Sequence, residues 1–209
     1  MNKLKRCVIV GQAEIKEYER IKSYLKADDY FVYCDGGLKH LDKLQRKPDL
    51  IVGDFDSFDN PHLDVETIVL PCVKDDTDSA FALKECIRRG FDEFLFVGCL
   101  GQRLDHTFGN LYLLVMLKEK GLKGIMLDDY SEISIIESDG ASIEDRFSFF
   151  SLISLSDKCE GITITDAKYP LADGVINSSF QYGVSNEVIK GKVSKVSVKT
   201  GNLILIKVF

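Results

Sequence analysis

The sequence contains no tryptophan, only four prolines and only three histidines in 209 residues, and several familiar motifs are missing. His40, His62 and His106 lack the spacing of a metalloprotease. The six cysteines form no CxxC pair, so they predict buried thiols and not a zinc site or a disulfide framework. Neither a Walker A sequence nor GxGxxG occurs, which excludes the common nucleotide-binding loops.

Charge and hydropathy exclude further classes. The formal net charge is -6 and no Lys/Arg-rich stripe occurs, so we expect no nucleic-acid partner. No segment approaches the ~20 apolar residues of a membrane span, and the first apolar run is too short for a signal peptide. We therefore expect a cytoplasmic protein with no membrane partner.

An acidic stretch is the most informative feature that is present. Between Asp49 and Asp78 there are nine carboxylates against one base, Lys74. Its clusters GDFDS, 53–57, and DDTD, 75–78, each follow an apolar run. Either cluster alone would be typical of turns or helix caps. Together they favour a cation site, and hard oxygen ligands favour Mg²⁺.

Up to about residue 130, short β-branched runs alternate with segments of helical period, which predicts parallel βαβ units in a doubly wound α/β domain, 1–130. The predicted strands are CVIVG, YFVYC, DLIVGDF, TIVLP, FLFVG and GIMLDD, and the predicted helices are 14–26, 38–44, 79–89 and 104–120.

From residue 131 to 209, short alternating runs follow one another without helical segments. This pattern predicts a second domain, an antiparallel β-sandwich or barrel. TGN, 200–202, resembles a hairpin turn. The predicted strands lie in ISIIE, FSFFSLISL, GITITDA, GVINSSF, SNEVIKGKVSKVSV and LILIKVF.

Two further candidate sites follow predicted strands. Asp35, Gly36 and Gly37 form a DGG turn, where glycines allow close approach of a ligand. GCLGQRLDHTFGNLYLL, 98–114, turns through two glycines into a helix whose start can present N–H groups to phosphate, with Arg103 as a fork for its oxygens. In an open α/β sheet such strand ends meet at one edge.

A simpler interpretation of the helix start remains open. Asp105 would then only cap the helix, and His106 would be a surface residue. The helix itself is predicted by its apolar positions, which are Leu104, Phe108, Leu111 and Val115. Beside the acidic clusters, the segment favours a phosphate-and-metal site, because a polyphosphate near so many carboxylates needs a bridging Mg²⁺.

The ordered motifs resemble those of the thiamine pyrophosphokinase family, and they span nearly the whole chain. They are DGG at 35–37, PDLIVGDFDS at 48–57, DDTDSAFAL at 75–83, GQRLDHTFGNL at 101–111, YPL at 169–171 and SNE at 185–187. The resemblance implies a homodimer with active sites between protomers. It also implies an α/β domain that binds Mg·ATP, a β domain that helps to bind thiamine, and transfer of the β,γ-diphosphate of ATP to thiamine.

The resemblance also implies site residues. Metal ligands would be Asp54, Asp56 and Asp78. ATP would be contacted by Asp35, Gly36, Gly37, Thr77, Arg103 and His106. From the needs of phosphoryl transfer, we further expect Asp78, Asp105 and Arg103 to act in catalysis, with Asp78 or Asp105 as the proton acceptor. Thiamine would be contacted by Tyr169, Ser185 and Asn186.

The chain departs from the family pattern at two places. Gln102 replaces a glycine that many relatives have before the RxDH element, so the local turn is expected to differ. Where relatives often have GLK before an aromatic residue, this chain has DAK before Tyr169. Since there is no tryptophan, Tyr169 or Tyr182 would have to supply an aromatic ring for the thiazolium cation.

Two alternatives come from other classes. A Mg²⁺-dependent phosphatase of the haloacid-dehalogenase kind also uses DxD after a strand, with an aspartate nucleophile, although there the motif follows the first strand and not the third. A non-catalytic module would bind a cation in its acidic loops and a partner protein on its β domain.

Overall fold

The computed structural model describes residues 6–55, 63–71 and 75–209. Asp56 and Cys72 lie outside this part of the chain. The described residues form two compact units, the first ending at Asp129 and the second comprising Tyr130–Phe209. No helix in the described ranges is both long enough and apolar enough to cross a membrane.

The first unit contains a parallel sheet with helices between its strands, as the α/β prediction requires. Its strands are hydrogen-bonded in the order β4-β3-β2-β1-β5-β6, and every pair is parallel. The strands are β1 Cys7–Val10, β2 Tyr30–Cys34, β3 Leu50–Gly53, β4 Thr67–Val69, β5 Glu93–Val97 and β6 Lys123–Leu127. The helices are α1 Tyr18–Tyr24, a 3-10 helix Asp35–His40, α2 Leu41–Leu44, α3 Asp78–Arg88 and α4 Leu104–Glu119.

The strand order reverses between β1 and β5. From β1 the chain adds β2, β3 and β4 on one side, and it then places β5 against the other side of β1. In open α/β sheets, ligands bind outside the carboxyl ends of the strands at such a topological switch point. The fold therefore points to the ends of β1 and β5, at Gly11 and Gly98.

Helix α4 is predicted correctly, but two of its four predicted apolar positions are exposed, and the other two, Leu111 and Val115, are only half-buried. Leu104 and Phe108 are 69% and 58% exposed. The buried side chains of α4 are Asn110, Leu113, Leu114 and Leu117. An apolar stripe on α4 is consequently left in contact with solvent.

The second unit is an antiparallel sandwich, as predicted. One set of strands pairs in the order β7-β13-β9 and the other in the order β11-β10-β12-β8. A core that includes Ile143, Phe150, Leu152, Ile162 and Leu205 draws side chains from both sets. The strands are β7 Ser131–Ile135, β8 Ala141–Glu144, β9 Phe149–Ser154, β10 Lys158–Thr165, β11 Leu171–Asn177, β12 Val193–Ser197 and β13 Leu203–Val208.

The hairpin prediction at TGN, 200–202, is wrong. The strands on either side of it, β12 and β13, pair with different partners in different sheets. Thr200 instead forms a bridge with Glu160, and Gly201, with φ of 94°, lies against Cys159. The segment is a crossing between the two sheets.

Candidate active site

Three carboxylates from separate elements meet at the carboxyl edge of the parallel sheet. Asp35 follows β2, Asp54 follows β3, and Asp78 is the first residue of α3. One carboxylate oxygen from each lies within 4.8 Å of the others. Asp35 is buried and the other two are half-buried. Convergence of the DGG turn and the acidic clusters at one edge is predicted by their positions after strands, because parallel strand ends share one edge. Asp35, however, is predicted as an ATP contact and not as a metal ligand.

The backbone around these carboxylates is strained and tightly packed. Asp35 has φ of 22°, and Phe55, next to Asp54, has φ of 57°, values that are uncommon for residues with a side chain. Gly53 is needed because a Cβ there would lie 2.8 Å from the Asp35 Cβ. Strained backbone of this kind is kept only where many surrounding contacts hold it in place, and it is most frequent at functional sites.

The donor set of this cluster fits a hard divalent cation. Three carboxylates at this separation repel one another when ionised, and a cation between them removes the repulsion. Oxygen-only ligands suit Mg²⁺ or Ca²⁺ better than metals that prefer nitrogen or sulfur. Asp35, Asp54 and Asp78 are therefore the described residues that could hold a metal ion.

A cavity of about 250 Å³ lies at the switch point. Gly11 and Gly98 form part of its wall, together with Lys39, Arg103 and His106. A second cavity, of about 50 Å³, lies beside the carboxylates. The two cavities share four lining residues, which are Gly11, Gln12, Ser79 and His106. A ligand in the larger cavity would thus lie next to the acidic cluster.

Glycine is required at both strand ends. A Cβ at Gly11 would lie 2.5 Å from the Gly98 carbonyl oxygen, and Gly98 has φ of 63°. The two loops are also joined by hydrogen bonds, from Gly11 N to Val97 O at 2.9 Å and from Ala13 N to Gly98 O at 2.7 Å. The close approach of these backbones shapes the cavity.

Arg103 and Asp105 form an exposed ion pair at the start of α4. Arg103 Nε and Nη2 donate to the two Asp105 oxygens at 3.2 and 2.5 Å. The hydrogen bond from Arg103 lowers the pKa of Asp105 to about 2. Arg103 lines the larger cavity, whereas Asp105 is not among the lining residues of either cavity.

The glycine loop before α4 is fastened to the helix by side chains. Thr107 Oγ1 accepts a hydrogen bond from Gly101 N at 3.0 Å, and the buried Asn110 Nδ2 donates to Cys99 O at 2.7 Å. Gln102 contacts the Glu14 carboxylate through Nε2 at 3.4 Å. The loop therefore keeps a defined position on the cavity wall.

His40 is buried behind the cavity. Its Nε2 lies 2.9 Å from Ala13 O, and its Nδ1 lies 2.7 Å from Tyr18 Oη. Because a carbonyl only accepts, Nε2 carries the hydrogen and Nδ1 accepts from the tyrosine O–H. Burial lowers the pKa of His40 to about 4. A neutral His40 thus ties the cavity-lining Ala13 to α1.

The remaining predicted residues of the first unit are also near the edge of the sheet. Gly36 and Thr77 line the smaller cavity, and Thr77 caps α3 by accepting a hydrogen bond from Ala80 N at 3.3 Å. Gly37 has a packing role, because a Cβ there would lie 2.2 Å from Val10 O. Asp56 lies outside the described residues.

The sequence analysis did not identify several lining residues, among them Gln12, Lys39 and Ser79. Gln12 lies just after β1. Each of the other strands predicted before residue 90 is followed by a candidate site residue, but β1 is not. Its position at the end of the first strand was the available signal. Lys39 and Ser79 lie within predicted helices, where nothing local distinguishes them from surface residues.

The predicted thiamine residues lie in the second unit. Tyr169 is 59% exposed. Asn186 is buried, and its side-chain amide contacts the backbone of Tyr169. Ser185 is exposed, has φ of 60° and donates its N–H to Ser151 Oγ at 3.0 Å.

The fold and the site define a class of α/β protein with a carboxylate cluster beside a switch-point cavity. Comparison with known proteins narrows this class. The model of the thiamin pyrophosphokinase catalytic domain matches residues 21–126, and the model of the thiamin pyrophosphokinase vitamin B1 binding domain matches residues 135–204. The chain belongs to the thiamin pyrophosphokinase family.

Individual relatives agree with this placement. A thiamine pyrophosphokinase of Bacillus subtilis is 29% identical over 136 residues, which are 64% of this chain and 63% of that protein's length. A crystal structure of thiamine pyrophosphokinase from Bacillus subtilis has a TM-score of 0.84 at 25% identity and covers 98% of this chain and 99% of that one. One from Geobacillus thermodenitrificans has a TM-score of 0.82 at 26% identity, with 98% and 97% covered.

Proposed function

We propose that this chain is a thiamine pyrophosphokinase, which transfers the β,γ-diphosphate of ATP to the hydroxyl of thiamine and releases AMP. The observation that carries the proposal is the cluster of Asp35, Asp54 and Asp78 beside the switch-point cavity. It lies in a chain whose two halves match the catalytic and vitamin B1 binding domains of one family.

Mg²⁺ is part of the proposal. Asp54 and Asp78 would hold it, as the acidic motifs predict, and Asp35 joins them in the structure. Asp56 remains a predicted ligand. When bound, Mg²⁺ neutralises phosphate charge in phosphoryl transfer. Without such a cation the three carboxylates would repel ATP.

The cavity provides groups for the polyphosphate. Arg103 donates hydrogen bonds from Nε and Nη2 to Asp105, and its Nη1 has two further N–H groups that can donate to phosphate oxygens. Lys39 adds a second positive charge to the wall, and His106 lines both cavities. Gly36 and Thr77 would contact the nucleotide near the carboxylates.

We assign the hydroxyl proton of thiamine to Asp78 and not to Asp105. Asp105 lines neither cavity, and both of its oxygens accept hydrogen bonds from Arg103. Asp78 lines the smaller cavity beside the proposed polyphosphate. Positioning and electrostatics supply most of the acceleration in phosphoryl transfer, so a strong base is not required. Asp105 then serves to orient Arg103.

The second unit would supply the thiamine side through Tyr169, Ser185 and Asn186. An exposed aromatic ring such as that of Tyr169 can stack on the thiazolium cation. The proposed roles of the domains follow, with residues 1–130 binding Mg·ATP and residues 131–209 contributing to thiamine binding and dimerisation.

A homodimer with active sites between protomers belongs to the same proposal. Its support is the solvent-exposed apolar stripe on α4, formed by Leu104, Phe108 and Tyr112 at successive turns. Contiguous exposed apolar surface is typical of protein interfaces.

A cytoplasmic location is proposed too, since the described cysteines are buried free thiols, as is typical of reducing compartments.

One assay tests the reaction and separates the alternatives. The protein is incubated with Mg·ATP, with and without thiamine, and AMP and thiamine diphosphate are measured by chromatography. AMP that forms only with thiamine supports the proposal. A phosphoaspartate that forms without thiamine would support the phosphatase, and metal-induced stabilisation without ATP turnover would support the non-catalytic module.

Asp78→Asn tests the acidic cluster within the same assay. We expect it to lower diphosphate transfer by at least roughly 100-fold, because it removes a carboxylate from the centre of charge neutralisation. Asp76→Asn is the matched control, since Asp76 is bound to Lys84 at 2.6 Å outside the cluster. Its activity should stay within a few-fold of wild type. A fully active Asp78→Asn protein would contradict the assignment.

A further inference from the structure

The side chain of Asn186 is bound to the backbone of another segment. Its Oδ1 accepts hydrogen bonds from Tyr169 N at 3.0 Å and from Glu187 N at 2.9 Å. Its Nδ2 donates to Tyr169 O at 2.8 Å. The amide therefore pairs with both backbone polar groups of Tyr169. With two N–H donors on Oδ1, both of its lone pairs are used.

Asn186 is itself fixed to the core of the sandwich. Its N–H donates to Phe150 O and its C=O accepts from Phe150 N, both at 2.8 Å. Phe150 is fully buried in β9. Asn186 thus connects a rigid core strand to Tyr169.

Tyr169 has a fixed backbone and an exposed ring. The preceding residue, Lys168, donates its N–H to Glu187 O at 2.8 Å and its Nζ to the Glu187 carboxylate at 2.7 Å. The ring of Tyr169 is 59% exposed. Lys168 Nζ lies over the ring, 5.6 Å from its centroid, so one face already meets a cation. A flat ligand could stack on the exposed part of the ring, and the held backbone reduces the freedom that is lost on binding.

We infer that Asn186 is a positioning residue, which fixes Tyr169 for stacking on thiamine and does not itself select the substrate by direct contact. The inference rests on the proposed function and deepens its thiamine side. It also gives one physical reason for the two motifs YPL, 169–171, and SNE, 185–187. One motif provides the ring, and the other provides the amide that holds it.

Steady-state kinetics of four proteins test the inference: wild type, Asn186→Ala, Tyr169→Ala and the double variant. We expect Asn186→Ala to raise the KM for thiamine about 10-fold, because loss of a buried hydrogen-bonding partner releases the Tyr169 backbone. The KM for ATP should stay within about 2-fold, since the ATP residues lie in the first unit. When Tyr169 is already alanine, Asn186→Ala should raise the KM for thiamine by less than a further factor of about 2, as expected for coupled residues.

The chain offers a matched control in Gln181. Its side-chain amide makes the same kind of bidentate contact with the backbone of Ser154, accepting from N at 3.0 Å and donating to O at 3.2 Å. Gln181→Ala should lower thermal stability and leave the KM for thiamine unchanged. An equal rise in KM for both variants would show that the effect is a general loss of order, and it would overturn the inference.

Milder variants keep the test decisive if Asn186→Ala does not fold. Asn186→Asp keeps acceptors for the two N–H groups and loses the donor to Tyr169 O, so its KM for thiamine should be intermediate. Tyr169→Phe keeps the ring and should resemble wild type. If the increases in the KM for thiamine caused by the Asn186 and Tyr169 variants multiply in the double variant, Asn186 contacts thiamine directly and the inference is wrong.

If the wild type forms no thiamine diphosphate, the proposed function fails. If the wild type does form it and the Asn186 variants keep the wild-type KM for thiamine, only this inference fails.

Discussion

At the scale of single residues, strained backbone occurs at the carboxylate cluster. Six described non-glycine residues have positive φ, and two of them, Asp35 and Phe55 beside Asp54, lie there. Each such conformation costs of the order of 1–3 kcal/mol, so it must be held by surrounding contacts. At Asp35 the holding contact is the close packing against Gly53. The geometry of the carboxylate cluster therefore depends on backbone as much as on side chains.

His40 gives a prediction for stability against pH. Its pKa is lowered from 6.5 to about 4 in the folded protein. Below pH 6.5 the unfolded chain gains a proton that the folded chain does not bind until about pH 4. The free energy of unfolding should therefore fall as pH decreases through this window, by about 3 kcal/mol in full.

The measurement is urea unfolding between pH 7 and pH 4 of the wild type and His40→Gln. Glutamine can still donate to Ala13 O and accept from Tyr18, but it does not titrate. The variant should lack the part of the pH dependence that comes from His40. Equal slopes for the two proteins would show that His40 is not the group responsible.

At the scale of elements, the meeting of two loops at the switch point depends on glycine. Gly98→Ala should destabilise the protein by about 1–3 kcal/mol, because it combines positive φ with a Cβ 2.5 Å from Gly11 O. It should also weaken ATP binding, since Gly98 lines the cavity. Calorimetric Tm and nucleotide titration measure the two effects.

Gly109→Ala is the control for this substitution. Gly109 lies inside α4, and a Cβ there meets no atom of the described residues within 4 Å. Alanine should stabilise the helix by about 0.5–1 kcal/mol. If Gly98→Ala were as stable as Gly109→Ala, the close contact of the loops would not be a constraint.

The order of elements could be predicted from the sequence because strand and helix periods are local. The residue at which α1 begins could not be predicted. A helix is predicted from Glu14, but it begins at Tyr18. Lys16 N and Glu17 N donate to the carboxylate of Asp129 at 3.0 and 2.9 Å, and this partner is more than 100 residues away in the sequence. Strand β8 was missed as well, since Ala141–Glu144 has only one buried residue, Ile143.

At the scale of the whole molecule, the convergence of Asp35, Asp54 and Asp78 could be predicted because parallel strands place their carboxyl ends together. Contacts between particular side chains and their partners could not be predicted. The pairing of Arg103 with Asp105 is one example, since either residue alone fits a catalytic role. The binding of the Asn186 amide to Tyr169 is another, because it joins residues 17 positions apart.

Dimerisation is tested through the exposed stripe on α4. Phe108→Lys should weaken self-association by at least roughly 10-fold, because it places a charge in an apolar contact surface. Sedimentation velocity over a range of concentrations measures the change. Val69→Lys is the control, since Val69 is also strongly exposed but lies on the edge strand β4. Identical sedimentation of Phe108→Lys and wild type would exclude α4 from the interface.

The contact of Asp129 with the start of α1 has a consequence for the order of events during synthesis. Asp129 is the last residue of the first unit, and it binds the N–H groups of Lys16 and Glu17. In the same way, β1 has β5 as a neighbour, and β5 is made more than 80 residues later. On the ribosome, the first helix and the first strand therefore emerge long before Asp129 and β5, so the switch-point cavity can close only when the whole first unit has left the exit tunnel.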